Sequence, residues 1–266
     1  MWLLCGVEIR CMMDQLQVLY EDNHILGVIK PPGILSQSDR PTSEEKDMLS
    51  IIGEYLRVKY QKPGKAFVGL VHRLDRNVGG TMLFAKTSKG ASRLSLELRN
   101  GRFRKGYFAL AEGRFTKPSG VLVHSLLKEE KKNIVIEDRI RGKESVLLYE
   151  TAGICGNYTL VFAVPVTGRT HQIRAQLAFS GHPLADDVKY GGTRVTTGKI
   201  SYPALWSSVI CVKHPVKDET LMLQSIPPMG PPWDIAGDGG AAKLLCSKYL
   251  KGFQKYGFDR LYGLWH

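Results

Sequence analysis

Val71-His72-Arg73-Leu74-Asp75-Arg76 packs two guanidinium groups around a carboxylate, with a histidine beside them. In an extended chain side chains alternate, so Arg73 and Asp75 project from one face and His72 and Leu74 from the other. An arginine beside a carboxylate keeps it ionised at neutral pH, as a nucleophile or general base requires. The same pair also serves as a plain ion pair at a strand end. The choice between the two depends on what surrounds the stretch.

Working outward, short apolar segments alternate with Gly and Pro turns, and few helices intervene. His24 to Ile29 reads as a strand stopped by Lys30-Pro31-Pro32-Gly33, because proline cannot donate to a ladder and glycine accepts positive φ. Ser43 to Tyr60 is expected to be helical, with Leu49, Ile52 and Leu56 at helical spacing. Leu70 to Asp75 is read as extended, and Thr81 to Ala85 as the next strand after the turn Asn77-Val78-Gly79-Gly80. Thr87 or Ser88 should cap a helix whose apolar stripe is Ala91, Leu94 and Leu98, ending at Asn100-Gly101. Ser145 to Thr151 and Tyr158 to Val166 read as an antiparallel pair. Ile226 to Gly240 reads as a Pro/Gly linker, followed by a basic helix from Ala241 to Tyr256.

Two further segments carry residues with chemical potential. In Phe103-Arg104-Lys105-Gly106-Tyr107-Phe108-Ala109-Leu110, strand alternation puts Lys105 and Tyr107 on one face, a cation and a ring together as stacking on a flipped base needs. A core tyrosine with a satisfied hydroxyl fits the same pattern. In Thr167-Gly168-Arg169-Thr170-His171-Gln172-Ile173-Arg174, a helix from His171 to Ser180 begins, with Thr170 as its expected N-cap. Ile173 and Leu177 face the core there, and Arg174 lies at the margin of that face, where a partly buried ion pair is possible and Asp75 is a candidate partner. A surface helix with a snorkelling arginine satisfies the same spacing.

Lysine and arginine total 37 against 25 acids, a formal charge of +12, which makes a polyanion the first partner to consider. The five cysteines are scattered with no Cys-x-x-Cys pair, and the seven histidines lack metal-ligand spacing, so a reducing cytoplasm and no metal are expected. No run reaches the roughly 18 apolar residues of a spanning helix. Glu8 and Arg10 interrupt the opening apolar segment, so no secretory signal is expected, and Met12 or Met13 are alternative starts.

The segments occur in an order that resembles the RluA-type RNA pseudouridine synthases. The resemblance runs through Lys30-Pro31-Pro32-Gly33, His72 to Asp75, Lys105-Gly106-Tyr107 and Thr167 to Arg174. It continues with Gly181-His182-Pro183-Leu184, Asp187-Val188-Lys189-Tyr190-Gly191 and Lys213-His214-Pro215, covering Val18 to Pro228. It implies an α+β fold, a mixed, largely antiparallel central sheet in two lobes with a basic cleft. Asp75 then matches the catalytic aspartate, Arg174 the basic residue that pairs with it, and Tyr107 the aromatic against the target base. Arg73 matches the arginine that helps hold the target out of its helix, and Lys30, Lys105, Arg169 and His171 are expected to support RNA binding. The division implied is an extension at 1–15, a catalytic domain at 16–229, and a linker with a terminal helix at 230–266. Arg76-Asn77-Val78-Gly79-Gly80 departs from the family's more usual acidic residue and Thr-Ser-Gly, and the small basic module that many relatives carry ahead of the catalytic domain has no room before Val18.

The implied reaction breaks the bond between a uracil nitrogen and the sugar, rotates the base and rejoins it through carbon. It transfers no electrons or groups, so no cofactor is expected. Asp75 either attacks the anomeric carbon or removes a neighbouring sugar proton to give a glycal. The expected partner is tRNA or rRNA, acted on by a monomer. A catalytically silent RNA-binding protein or chaperone on the same scaffold needs only the basic residues and aromatics.

Overall fold

The computed structural model of the protein describes residues 16–38, 47–197, 200–234 and 240–264. The expected extension at 1–15 with its alternative starts, Cys5, Cys11, and the beginning of the helix expected from Ser43 lie outside these. Residues 16–103 form β1 (Val18–Glu21), β2 (Ile25–Lys30), α1 (Met48–Lys59), β3 (Gly69–Leu70), β4 (Gly79–Ala85) and α2 (Ser88–Arg99). Next come β5 (Arg104–Glu112), β6 (Ser119–Glu129), β7 (Ile134–Glu137), β8 (Lys143–Cys155), β9 (Tyr158–Pro165) and α3 (Gln172–Phe179). The rest supplies β10 (Leu205–Lys213), β11 (Thr220–Gln224), α4 (Ala241–Tyr256) and α5 (Asp259–Tyr262). The chain is α+β, and it divides into two compact units, one of residues 1–103 with 209–225 and one of residues 104–208 with 226–266.

In the first unit β2 pairs with β1 and β4, β3 pairs with β4, and β10 pairs with β11, each antiparallel. Ile25, Val71, Leu83, Leu94, Phe103, Ile210, Val212 and Leu223 pack as one core. Helix α2 meets that core through Leu94, Ala91 and Leu98, the stripe its sequence predicts, and Thr87 caps it by accepting from the Gly90 N–H. Helix α1 starts at Met48, where Asp47 and Ser50 form a reciprocal capping box.

An ionic hub joins β1 to α1. The Glu21 carboxylate accepts from Tyr55 and Tyr60 hydroxyls and from the Lys59 and Lys86 ammonium groups, at 2.6 to 2.8 Å. Burial alone would raise its pKa, but these four donors outweigh it and hold the group at about 2 against an ordinary 4.5. A carboxylate whose folded pKa is depressed stabilises the protein fully above its unfolded pKa and loses that contribution as pH falls toward the folded value. Acid unfolding between about pH 4.5 and 2 should therefore be shallower in Glu21→Gln, which is also less stable than the wild type at neutral pH. Denaturant titrations of both proteins across that pH range measure this; parallel curves would contradict it.

In the second unit the antiparallel order is β5-β9-β8-β6-β7. The pair read from Ser145 to Thr151 and Tyr158 to Val166 is β8 with β9. Helix α4 spans the residues expected of it and turns Ala242, Cys246, Leu250 and Phe253 inward, a stripe of helical period. Its rings complete the packing on β5 and β9: Tyr249 and Phe253 lie 4.8 and 5.1 Å from the Phe162 ring, and Phe162 lies 5.2 Å from Phe108. The Tyr249 hydroxyl donates to Glu150 of β8 at 2.7 Å. The terminal helix is thus part of this unit's core, with Lys248 and Lys251 left on its solvated side. No helix among the described residues is long and apolar enough to cross a membrane.

Candidate active site

Asp75 sits in the first unit, on a loop whose backbone is held from three sides. Strand β3 ends at Leu70, so the extended reading of Leu70 to Asp75 is not matched by a hydrogen-bonded strand. Past that point the backbone groups find other partners. The Ser36 hydroxyl accepts the Leu74 N–H at 3.0 Å and donates to the Leu74 carbonyl at 2.8 Å. The Arg76 carbonyl accepts from the Lys30 ammonium at 2.9 Å and from the Gly33 N–H at 2.8 Å. His72 Nε2 accepts the Leu83 N–H at 3.0 Å, and its ring lies 5.1 Å from that of Phe103.

The alternation expected of an extended chain still governs the side chains. His72 and Leu74 are buried, Arg73 is exposed and Asp75 is half-buried.

Lys30 closes β2 fully buried, and its ammonium donates to the carbonyls of Pro31, Ile34 and Arg76 at 2.9, 2.6 and 2.9 Å. Burial pulls its pKa down to about 7, the Asp75 charge opposes that, and the Arg76 charge adds to it. Three carbonyl acceptors match the three N–H groups of the charged form, which favours the ammonium further. Lys30 therefore fastens the Pro31–Gly33 turn to the Asp75 loop from a fully buried position. Ser36 was not singled out from sequence, because its partner lies 38 residues away. Ser36→Ala leaves the buried Leu74 amide and carbonyl without that hydroxyl. It is expected to destabilise the protein by about 1 to 3 kcal/mol and to lower turnover; thermal unfolding and a rate measurement check both.

The second unit carries the other residues read from sequence. On β5 a side chain at Gly106 would overlap the Phe162 ring, so glycine is what lets the ring seat there. Its neighbours Lys105 and Tyr107 share a face, Tyr107 buried and Lys105 half-buried with its pKa lowered by burial. At α3 the N-cap is His171, at φ 49, and not Thr170; no side chain caps that end. The reason is Gln172. Its Oε1 accepts the Arg169 N–H and the Thr167 hydroxyl, both at 2.9 Å, while its Nε2 donates to the Val146 carbonyl at 2.9 Å. The loop is closed by this amide, and Arg169 and Thr170 stay exposed.

Arg174 is not a snorkelling surface residue. It is 5% exposed, and Nε and a terminal nitrogen each donate at 2.7 Å to the carboxylate of Asp187, itself 1% exposed. Its guanidinium carbon lies 5.1 Å from the centre of the Tyr190 ring. The doubly bonded partner of Arg174 inside this unit is therefore Asp187. Sequence reading quoted Asp187 and Tyr190 within a motif and assigned neither. Next to them Asp186, at φ 61, accepts the N–H groups of Val195 and Thr196 and so anchors the following loop.

A sequence model of the RNA pseudouridylate synthase family matches residues 24–179, which span Asp75, Tyr107 and Arg174. The chain belongs to this family. Among its relatives, the ribosomal large subunit pseudouridine synthase C of Vibrio parahaemolyticus is 31% identical over 78% of this chain and 64% of its own length. The uncharacterized RNA pseudouridine synthase YjbO of Bacillus subtilis is 34% identical over 77% of this chain and 70% of its own. The chain thus spans just under two thirds of the length of the ribosomal relative. The structure of human RNA pseudouridylate synthase domain containing 4 superposes with a TM-score of 0.69, covering 86% of this chain and 94% of that one, at 18% identity. The fold is accordingly that of the pseudouridine synthases.

Proposed function

We propose that the protein isomerises uridine to pseudouridine in RNA with Asp75 as the essential carboxylate. The observation that carries this is the clamped loop: Ser36, Lys30 and Gly33 hold the backbone on both sides of Asp75, so its half-buried carboxylate is presented in one orientation. Such preorganisation suits attack on the anomeric carbon, and it suits removal of a sugar proton to give a glycal. In either route the base leaves through nitrogen and returns through carbon, and every atom stays in the nucleotide, so the chemistry calls for no cofactor.

The exposed guanidinium of Arg73 suits it to fill the gap left by an everted base, which offsets an unstacking cost of about a few kcal/mol. Tyr107 supplies the ring against the target base, and Arg174, permanently charged, is the group to stabilise negative charge developing there. Lys105, Arg169 and His171 contact the RNA, and Lys30 acts from beneath the loop. The catalytic region is residues 16–229, working as a monomer in the cytoplasm. Similarity to ribosomal large subunit pseudouridine synthases favours large-subunit ribosomal RNA as the substrate over tRNA.

Pseudouridine mapping of ribosomal and transfer RNA from cells with and without the gene tests the reading. Loss of one or more ribosomal sites is expected. Loss confined to tRNA moves the substrate, and an unchanged map together with RNA binding leaves only the silent RNA-binding protein.

A further inference from the structure

We propose that Asp187 and Tyr190 form a socket that orients two side chains of this unit at once, fixing the plane of Arg174 and holding His171 with Nδ1 unprotonated. The inference rests on the site being an RNA-modifying one, and both socket residues lie beyond residues 24–179, the span matched by the family model.

The spacing has a physical basis. Val188–Tyr190 is a single 3-10 turn with Asp187 at its N-cap, closed by the Tyr190 N–H to the Asp187 carbonyl at 2.9 Å and ended by Gly191 at φ 85. In such a turn side chains three residues apart eclipse one another, so Asp187 and Tyr190 emerge on the same side. Asp187 takes the Arg174 fork edge-on through two bonds of 2.7 Å, and the Tyr190 ring lies 5.1 Å from its carbon. A carboxylate in the guanidinium plane and a ring close to it leave a planar cation little freedom to turn.

The hydroxyl of the same tyrosine does the second task. It accepts the Val135 N–H of β7 at 2.9 Å and lies 2.8 Å from His171 Nδ1, with the two rings nearly perpendicular at 85°. A phenol oxygen that already accepts an amide proton can donate its own, and Nδ1 lies within hydrogen-bond reach of it. An imidazole that accepts at Nδ1 carries its proton at Nε2 when neutral. The histidine stands at a left-handed backbone position and its side chain caps no helix amide, while Nδ1 meets Tyr190.

Long-range nitrogen-15 NMR of histidine-labelled protein at about pH 8, above the ordinary histidine range, reads the tautomer directly. His171→Gln identifies the resonances by their disappearance. The wild type is expected to show the Nε2–H form at His171, and Tyr190→Phe to shift it toward the other tautomer; an Nδ1–H form in the wild type, or no change in the variant, overturns the proposal. The readout needs no RNA substrate, so it decides the socket even where the isomerase reading fails. Single-turnover rates on unmodified large-subunit ribosomal RNA then separate the two tasks. Tyr190→Leu, which also removes the ring beside Arg174, should be slower than Tyr190→Phe by about tenfold or more, and equal rates for the two count against the Arg174 half.

Discussion

Asp75→Asn is expected to abolish pseudouridine formation, lowering the rate by at least roughly a thousandfold, while RNA binding changes little. The amide has the size and shape of the carboxylate, so packing around the loop is preserved. It is neither a nucleophile nor a base for a sugar proton, and both candidate routes stop. The bonds that hold the loop are made by its main chain, through Leu74 to Ser36 and through Arg76 to Lys30 and Gly33, and they survive the substitution. One secondary effect follows. The Asp75 charge supports the Lys30 ammonium, so its removal drops the Lys30 pKa further and weakens the clamp toward alkaline pH. Quantifying product and measuring RNA affinity on the same preparation checks the prediction, and appreciable turnover in the variant would remove Asp75 from the mechanism.

Arg174→Leu is expected to destabilise the protein by roughly 3 to 5 kcal/mol, because it strands the Asp187 carboxylate in the interior. A buried ion pair need not stabilise a fold relative to apolar residues of similar volume, but removing one member leaves an uncompensated charge. The double variant Arg174→Leu, Asp187→Leu should therefore recover much of the lost stability and none of the activity. Denaturant unfolding and a turnover assay on the wild type, the single variant and the double variant separate structural from chemical loss. If the double variant regained turnover along with stability, Arg174 would be a structural residue only. A single variant as stable as the wild type would instead contradict the buried pair.

Much of the fold is legible in local pattern. The apolar stripe of α2, the bounds of α4, the Thr87 cap and the β8–β9 pair appear where spacing and capping chemistry put them, since each depends on residues close to one another in the chain. The period of two also put His72 and Leu74 on one face and Arg73 and Asp75 on the other, matching two buried side chains against an exposed and a half-buried one. It did so although the segment is not a hydrogen-bonded strand, because extended backbone alone sets which way successive side chains point. The N-cap of α3 was misread for a reason just as local in appearance. Thr170 has the right chemistry, but Gln172 reaches Val146, 26 residues away, and closes the loop in a form that gives the cap position to His171.

The sequence by itself determined the four longer helices, β2, β4, β5 and the β8–β9 pair, the direction of the side chains around Asp75, and the family, through motifs whose order is readable without coordinates. Only the tertiary structure decided who holds whom. Ser36 on Leu74, Lys30 on the Arg76 carbonyl, and Asp187 and Tyr190 on Arg174 are choices among many polar residues that spacing leaves equally eligible. A periodic pattern reports whether a side chain is buried. Its partner depends on which distant backbone the fold brings within about 3 Å, and a buried polar group must find that partner or destabilise the chain.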